Sequence, residues 1–361
     1  MSSRYTVFFV SCALPLLLVS QIAPSMAHEL DFWLLWVVAM TFVGLPILFA
    51  EIALSVRSGA LPYQGIQKLT READAKIIWR MFAGLSVFIS LLFAVSITTR
   101  LGEGVHLHLP QLQLPLPSVG VSVLLAFVLL ILSLLKSRLL PVGVALVVIG
   151  SLISLFDGGL DSGVSVPVMT AVSLGEWAKA VSLALICVGV GSGLYWFGNA
   201  PNVAKINPKK SLSGMILAIW LSQLVFGSFA LLVSSSYVTP TSFAVSGIGM
   251  LLVAGFLVYY AGVQLMYRFG WINGAIATLV GLLVLSALPA KIVLITLIVI
   301  GMVAVVLLAL FAGFAMKISH LRKTFNFKSE ARYNLWRMFV RIFAPLAILV
   351  ALVGWVLEWL R

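Results

Sequence analysis

Apolar residues gather along this chain into long runs separated by short polar gaps. The runs cover approximately 5–23, 32–54, 80–99, 119–135, 139–156, 177–197, 211–234, 243–266, 271–289, 292–316 and 338–359. A bilayer-spanning helix needs about 20 mostly apolar residues, so the pattern predicts eleven transmembrane helices. Ten-residue segments of alternating polarity between turns are absent, which argues against a barrel. Backbone in lipid must satisfy itself, and helices do this within one segment. The expected fold is therefore all-α, a polytopic membrane helix bundle of about 11 transmembrane helices. The gaps leave no room for a soluble domain, so residues 1–361 read as a single transmembrane domain.

Composition agrees: 62% of residues are hydrophobic and only 9% are charged. Soluble domains carry about 25% charged residues, so a water-soluble protein is excluded. The net charge of +12 is not a nucleic-acid signature, because the charges sit in the gaps. With the N-terminus in the cytoplasm and alternating helices, 19 of the 23 lysines and arginines fall inside. Arg100, Lys179, Lys291 and Arg361 fall outside. This bias predicts a bacterial inner-membrane, multi-pass protein with a cytoplasmic N-terminus and a periplasmic C-terminus. Ser25-Met26-Ala27 after the first run resembles a signal-peptide cleavage site. The length of the apolar stretch favours a retained first helix. Cys12 and Cys187 both lie inside predicted spans and read as small apolar side chains rather than a disulfide.

The loops and helix ends carry recognisable text. Gly44-Leu45-Pro46-Ile47-Leu48, then Glu51, then Arg57-Ser58-Gly59-Ala60 resembles the second helix and following loop of the neurotransmitter sodium symporter family, which has the LeuT-type fold. Further segments agree in order: Ser2-Ser3-Arg4, Gly189-Val190-Gly191 with Tyr195, Arg268-Phe269-Gly270-Trp271, and the stretch from Leu321 through Trp336 to Pro345. The resemblance implies two inverted five-helix repeats, about 1–156 and 177–316, plus an extra helix about 338–359. It also implies a substrate site where the first helix of each repeat is unwound.

The residues themselves bear on that site. Gly189, Gly191 and Gly193 fall within five residues of the sixth run. Glycine tolerates backbone shapes closed to other residues and lets a ligand approach the main chain. Pro15 interrupts the first run at the corresponding place, removing one helical hydrogen bond. The substrate-binding candidates are Cys187, Gly189, Val190, Gly191, Ser192 and Gly193 with Cys12 and Pro15. The plainer reading is that the glycines serve close packing and Pro15 only kinks. Glu51 is the one acid well inside a span, so it should be protonated or paired. By resemblance it braces the unwound helix through amides near Gly193 to Trp196. It reads either as a structural acceptor or as a proton-coupling group.

The departures from the family pattern are chemical. The first run reads Ala13-Leu14-Pro15-Leu16-Leu17-Leu18-Val19-Ser20 where the family places small residues and an asparagine. Leu252 and Val253 stand where the family has a Thr-Ser pair, and Ile22-Ala23-Pro24 replace the outer-gate arginine and aromatic. Sodium needs several hard oxygen ligands, so coupling at the usual sites is not expected, and no cofactor or metal is assigned. A zinc site from His28, Glu29 and Asp31 in the first outer loop and His106 and His108 in the second lacks standard ligand spacing, and ordinary solvated loops are the plainer reading. Tyr259 and Tyr260 read as core, and Gln21, Asn199, Ser222, Gln223 and Gln264 as interhelical hydrogen-bonding groups. Residues from Lys317 to Arg341 carry seven basic side chains, one acid and several aromatics, which suits anionic lipid at the cytoplasmic face. No phosphate loop, metal motif or nucleophile elbow is present, so no enzyme and no nucleic-acid partner are expected. The expectation is an inner-membrane transporter of a small organic or amphiphilic solute. The alternative is a non-transporting scaffold of the same fold that handles lipid or binds a partner.

Overall fold

The computed structural model describes residues 3–23, 29–112, 115–157, 171–199, 212–234, 238–327 and 329–360. Among these, nearly all are helical and no strand forms. The first half contains α1 (Ser3–Ile22), α2 (Leu30–Ala39), α3 (Leu45–Ser58), α4 (Pro62–Glu72), α5 (Met81–His108), α6 (Ser118–Ser133) and α7 (Leu140–Asp157). The second contains α8 (Leu174–Val188), α9 (Leu194–Asn199), α10 (Ser213–Ser234), α11 (Pro240–Phe269), α12 (Trp271–Ser286) and α13 (Ala290–Leu310). It ends with α14 (Ile318–Phe325), α15 (Glu330–Met338) and α16 (Ala344–Trp359). Among the described residues seven continuous helical segments are long and apolar enough to cross a membrane, and three shorter apolar helices accompany them. The chain is thus a multi-pass membrane protein, with α12 displaying Ile272, Ile276, Val280 and Val284 outward at helical spacing.

Two prolines shape the long helices. Pro46 and Pro345 each follow a widened π-helical turn, Met40–Gly44 and Phe339–Phe343. A proline ring collides with the carbonyl four residues back, and one extra residue per turn relieves the collision. The Met40 carbonyl at the first such turn accepts from the Trp220 indole at 3.0 Å. The Pro46 carbonyl accepts from Trp336 at 2.9 Å. A third π turn, Phe311–Ala315, has its Gly313 carbonyl held by Arg341 Nε. Pro15 behaves differently. It lies inside an unbroken α1, so the expected unwinding of the first helix does not occur. One lost hydrogen bond is not enough to open a helix that α7, α8, α9 and α10 surround.

Small residues set the closest crossings. A Cβ on Gly150 would lie 2.6 Å from the Ser246 amide nitrogen, and one on Gly249 would lie 2.6 Å from the Gly143 carbonyl oxygen. These positions let α7 and α11 approach backbone to backbone, as small residues do in lipid. Gly227 receives the ring of Trp36 in the same way, joining α10 to α2. At one end of the bundle Arg57 donates to Glu72 and to the His320 carbonyl, 3.1 Å away. His320 Nδ1 in turn lies 3.0 Å from Glu72. This cluster ties the end of α3 to α4 and α14.

Candidate functional site

The sixth run is broken where the glycines predict it. α8 ends at Val188 and α9 begins at Leu194. Gly189, Gly191 and Gly193 take φ of +68°, +82° and +74°. Three left-handed residues in five cannot continue a right-handed helix, and a side chain at any of them would be strained.

Side chains from four other helices hold the freed main chain. Glu51 on α3 is fully buried, and its Oε2 accepts from the Gly191 amide at 2.8 Å. The Gly193 amide and the Trp196 indole stand beside the same carboxylate. The brace therefore centres on Gly191, two residues before the expected stretch from Gly193 to Trp196. Tyr260 on α11 donates to the Gly193 carbonyl at 2.7 Å. Ser90 on α5 donates to the Ser192 carbonyl at 3.2 Å. Gln223 on α10 donates to the Val188 carbonyl at 3.1 Å and to the Tyr195 hydroxyl at 2.9 Å, and Tyr195 donates to that same carbonyl. The carbonyls of Val190 and Gly191 receive no hydrogen bond from the described residues. Buried main-chain groups are nearly always paired, so this pair marks a place open to a ligand or to water.

The surroundings are tight and apolar. Leu14 of α1 closes under Gly189, where an added Cβ would lie 2.9 Å from its Cδ1. Cys12 and Pro15 are buried on α1. The Cys187 side chain lies outside the described residues, although its backbone is in α8. The cavity beside the break touches Val190, Ile186, Ile89, Phe93, Ser182 and Met302, and measures about 10 Å³. That holds about one water molecule, so this conformation has no room for an organic solute there.

Several polar groups were not legible as site residues. Tyr260 reads as core from sequence, yet it is a buried donor to the break. Ser90 carries no sequence signal at all. Arg100 was expected just beyond the third helix, but α5 continues to His108 and holds Arg100 within the helix, half-buried. The His28, Glu29 and Asp31 grouping is met only in part. His28 lies outside the described residues, and Glu29 and Asp31 meet Glu176 of α8, with one oxygen from each within 4.8 Å of the others. Burial, then the charges of Glu176 and Asp31, push the Glu29 carboxyl above its ordinary range. Three carboxylates are a hard oxygen set without the nitrogen or sulfur donors that zinc favours.

No protein-family model matches the chain, and no curated protein sequence matches it. Among solved structures, it is similar to the crystal structure of MhsT in complex with L-phenylalanine. The two share 16% identity and superpose with a TM-score of 0.74, over 97% of this chain and 98% of that one. At that identity the likeness is one of fold, and the chain has the LeuT-type all-helical fold.

Proposed function

We propose that this protein is a transporter of a small organic or amphiphilic solute in the inner membrane of a bacterium. Its two inverted repeats cover about 1–156 and 177–316, with its basic end cytoplasmic. The observation that carries the reading is the break at 189–193, where the Val190 and Gly191 carbonyls take no hydrogen bond from the described residues and Val190 borders a small void. A discontinuous helix near the middle of the bilayer is the usual pointer to a transport site. Val190, Gly191, Ser192 and Gly193 would face the solute, and Glu51 would hold their backbone. The apolar lining from Ile89, Phe93, Ile186 and Met302 suits a solute with an apolar part. The bound L-phenylalanine of MhsT is of that kind. The void lies between α5, α8 and α13, so solute entry would need these helices to separate. The absence of side-chain oxygens from Leu14 to Val19 and at Leu252 and Val253 favours a mechanism without sodium at the usual sites.

The second reading, a scaffold that does not transport, draws on the continuous α1 and the void of about 10 Å³. Thermal unfolding of the purified protein with L-phenylalanine and a panel of amino acids and amphiphiles, with and without sodium, separates the two. Stabilisation by a solute, followed by counterflow of that solute in proteoliposomes, supports transport. No stabilisation and no counterflow across the panel leaves the scaffold. A millimolar sodium response overturns the sodium-free mechanism.

An anionic-lipid partner is supported by a cleft of about 1010 Å³ at the basic end, lined by Lys317, Arg322, Lys323, Arg337 and Arg341. Arg341 also lies over the Phe314 ring, 4.7 Å from its centroid. Phosphatidylglycerol that stabilises the protein no more than phosphatidylcholine would rule this partner out.

A further inference from the structure

A second cavity lies between α1, α5, α7, α10 and α11, away from the glycine break. It measures about 100 Å³ and is lined by Arg100 together with Ser20, Ser151, Ser154, Ser242 and Ser246. Arg100 precedes the end of α5 at His108 by eight residues. At about 1.5 Å per residue, its backbone lies about 12 Å inside the helix end. Its single hydrogen bond among the described residues is a long one, from Nη1 to the Leu17 carbonyl at 3.3 Å. No carboxylate pairs with it among the described residues. A guanidinium has five donors, so most of this one's donors have no partner among the described residues, and the side chain borders the cavity.

A charge within a membrane bundle is costly and is normally paired. Among the described residues no carboxylate stands beside it; instead there is a space lined both by serines and by Leu16, Ala230, Val233, Val238 and Met250. Five hydroxyls line that space. Those of Ser242 and Ser246 donate to carbonyls of their own helix, at 2.9 and 2.7 Å. Rotation about χ1 or the C–O bond turns such a hydroxyl toward a stronger acceptor. Those of Ser20 and Ser151 have no partner among the described residues. One water needs about 10–15 Å³ of such space, so several waters fit, or one compact anion with water.

We propose that Arg100 and the surrounding serines form a binding site for a compact anion, a halide or a short carboxylate. The guanidinium supplies charge and a planar pair of donors, which matches a carboxylate. The serine hydroxyls complete the shell. The site is separate from the break at 189–193 and does not depend on the transport reading.

The test uses the full-length purified protein, exchanged into sodium gluconate, whose anion exceeds the cavity. Chloride and acetate are then titrated at constant ionic strength while the unfolding temperature is followed. The expected result is a saturable rise with chloride or acetate that is absent in Arg100→Gln and at least threefold weaker in apparent affinity in Arg100→Lys. No anion dependence in the wild type overturns the proposal, as does an equal rise in Arg100→Gln. If Arg100→Gln does not fold, the Ser20→Ala/Ser151→Ala double variant decides. A threefold or greater loss of apparent affinity supports the site, and unchanged affinity overturns it.

Discussion

Adding one methyl group at each of three glycines tests the account of the broken helix. At Gly193, φ is +74°, and a Cβ would lie 2.6 Å from the Tyr260 hydroxyl oxygen, 2.8 Å from Pro62 Cγ and 3.2 Å from Ser86 Cβ. The left-handed backbone costs a non-glycine residue about 1–2 kcal/mol. Overpacking a tight site adds about 1–3 kcal/mol. Gly193→Ala should therefore destabilise by about 2–5 kcal/mol, and displacement of Tyr260 would also strip the Gly193 carbonyl of its side-chain donor. At Gly191, φ is +82°, but the nearest atom to a Cβ is Val305 Cγ2 at 3.2 Å. Gly191→Ala should cost little beyond the backbone share, about 1–2 kcal/mol. Gly301 lies inside the regular α13, and nothing lies within 4 Å of its Cβ position. Gly301→Ala removes the helix penalty of glycine and should stabilise by up to about 1 kcal/mol. Reversible unfolding in mixed micelles, followed by tryptophan fluorescence, measures all three. The expected order of stability is Gly301→Ala, wild type, Gly191→Ala, Gly193→Ala. Should Gly193→Ala match the wild type, the left-handed break and its tight contact with Tyr260 would both be wrong.

Tyr260→Phe removes the side-chain donor of the buried Gly193 carbonyl, which keeps the Trp196 amide at 3.1 Å, at a cost of about 0.5–1.5 kcal/mol. Tyr259→Phe, one residue away and half-buried, should be near neutral in the same unfolding assay. Glu51→Gln keeps an acceptor for the Gly191 amide and should retain most of the stability. Glu51→Leu orphans that amide and should lose about 1–3 kcal/mol more; equal losses would mean the hydrogen bond is not what matters. The Glu29 carboxyl titrates above its ordinary 4.5 in the folded protein. Its ionised form therefore weakens the fold, with no penalty below 4.5 and a full one above its raised value. Thermal scans across that window should show Glu29→Gln gaining on the wild type as pH rises, then holding a constant lead.

Much of this was readable along the chain. The apolar runs require helices because lipid offers no partner for peptide groups. Gly189, Gly191 and Gly193 foretell the break because three residues without a Cβ stand within one turn and a half of helix. Glu51 stands out because a carboxylate inside a span needs a partner. These are local or solvent-imposed constraints, and they act on a segment whatever its neighbours are. What the tertiary structure alone decided is which groups meet. Pro15 looks like Pro46 in sequence, yet α1 stays continuous while a π turn opens before Pro46, because the response to a proline depends on the helices packed around it. Tyr260, Ser90 and Gln223 converge on the break from three separate helices, so no spacing in the sequence could have paired them with it. Arg100 lies within a helix, half-buried, because α5 continues past the apolar run. The cavity it faces exists only where α7 and α11 cross at their small residues.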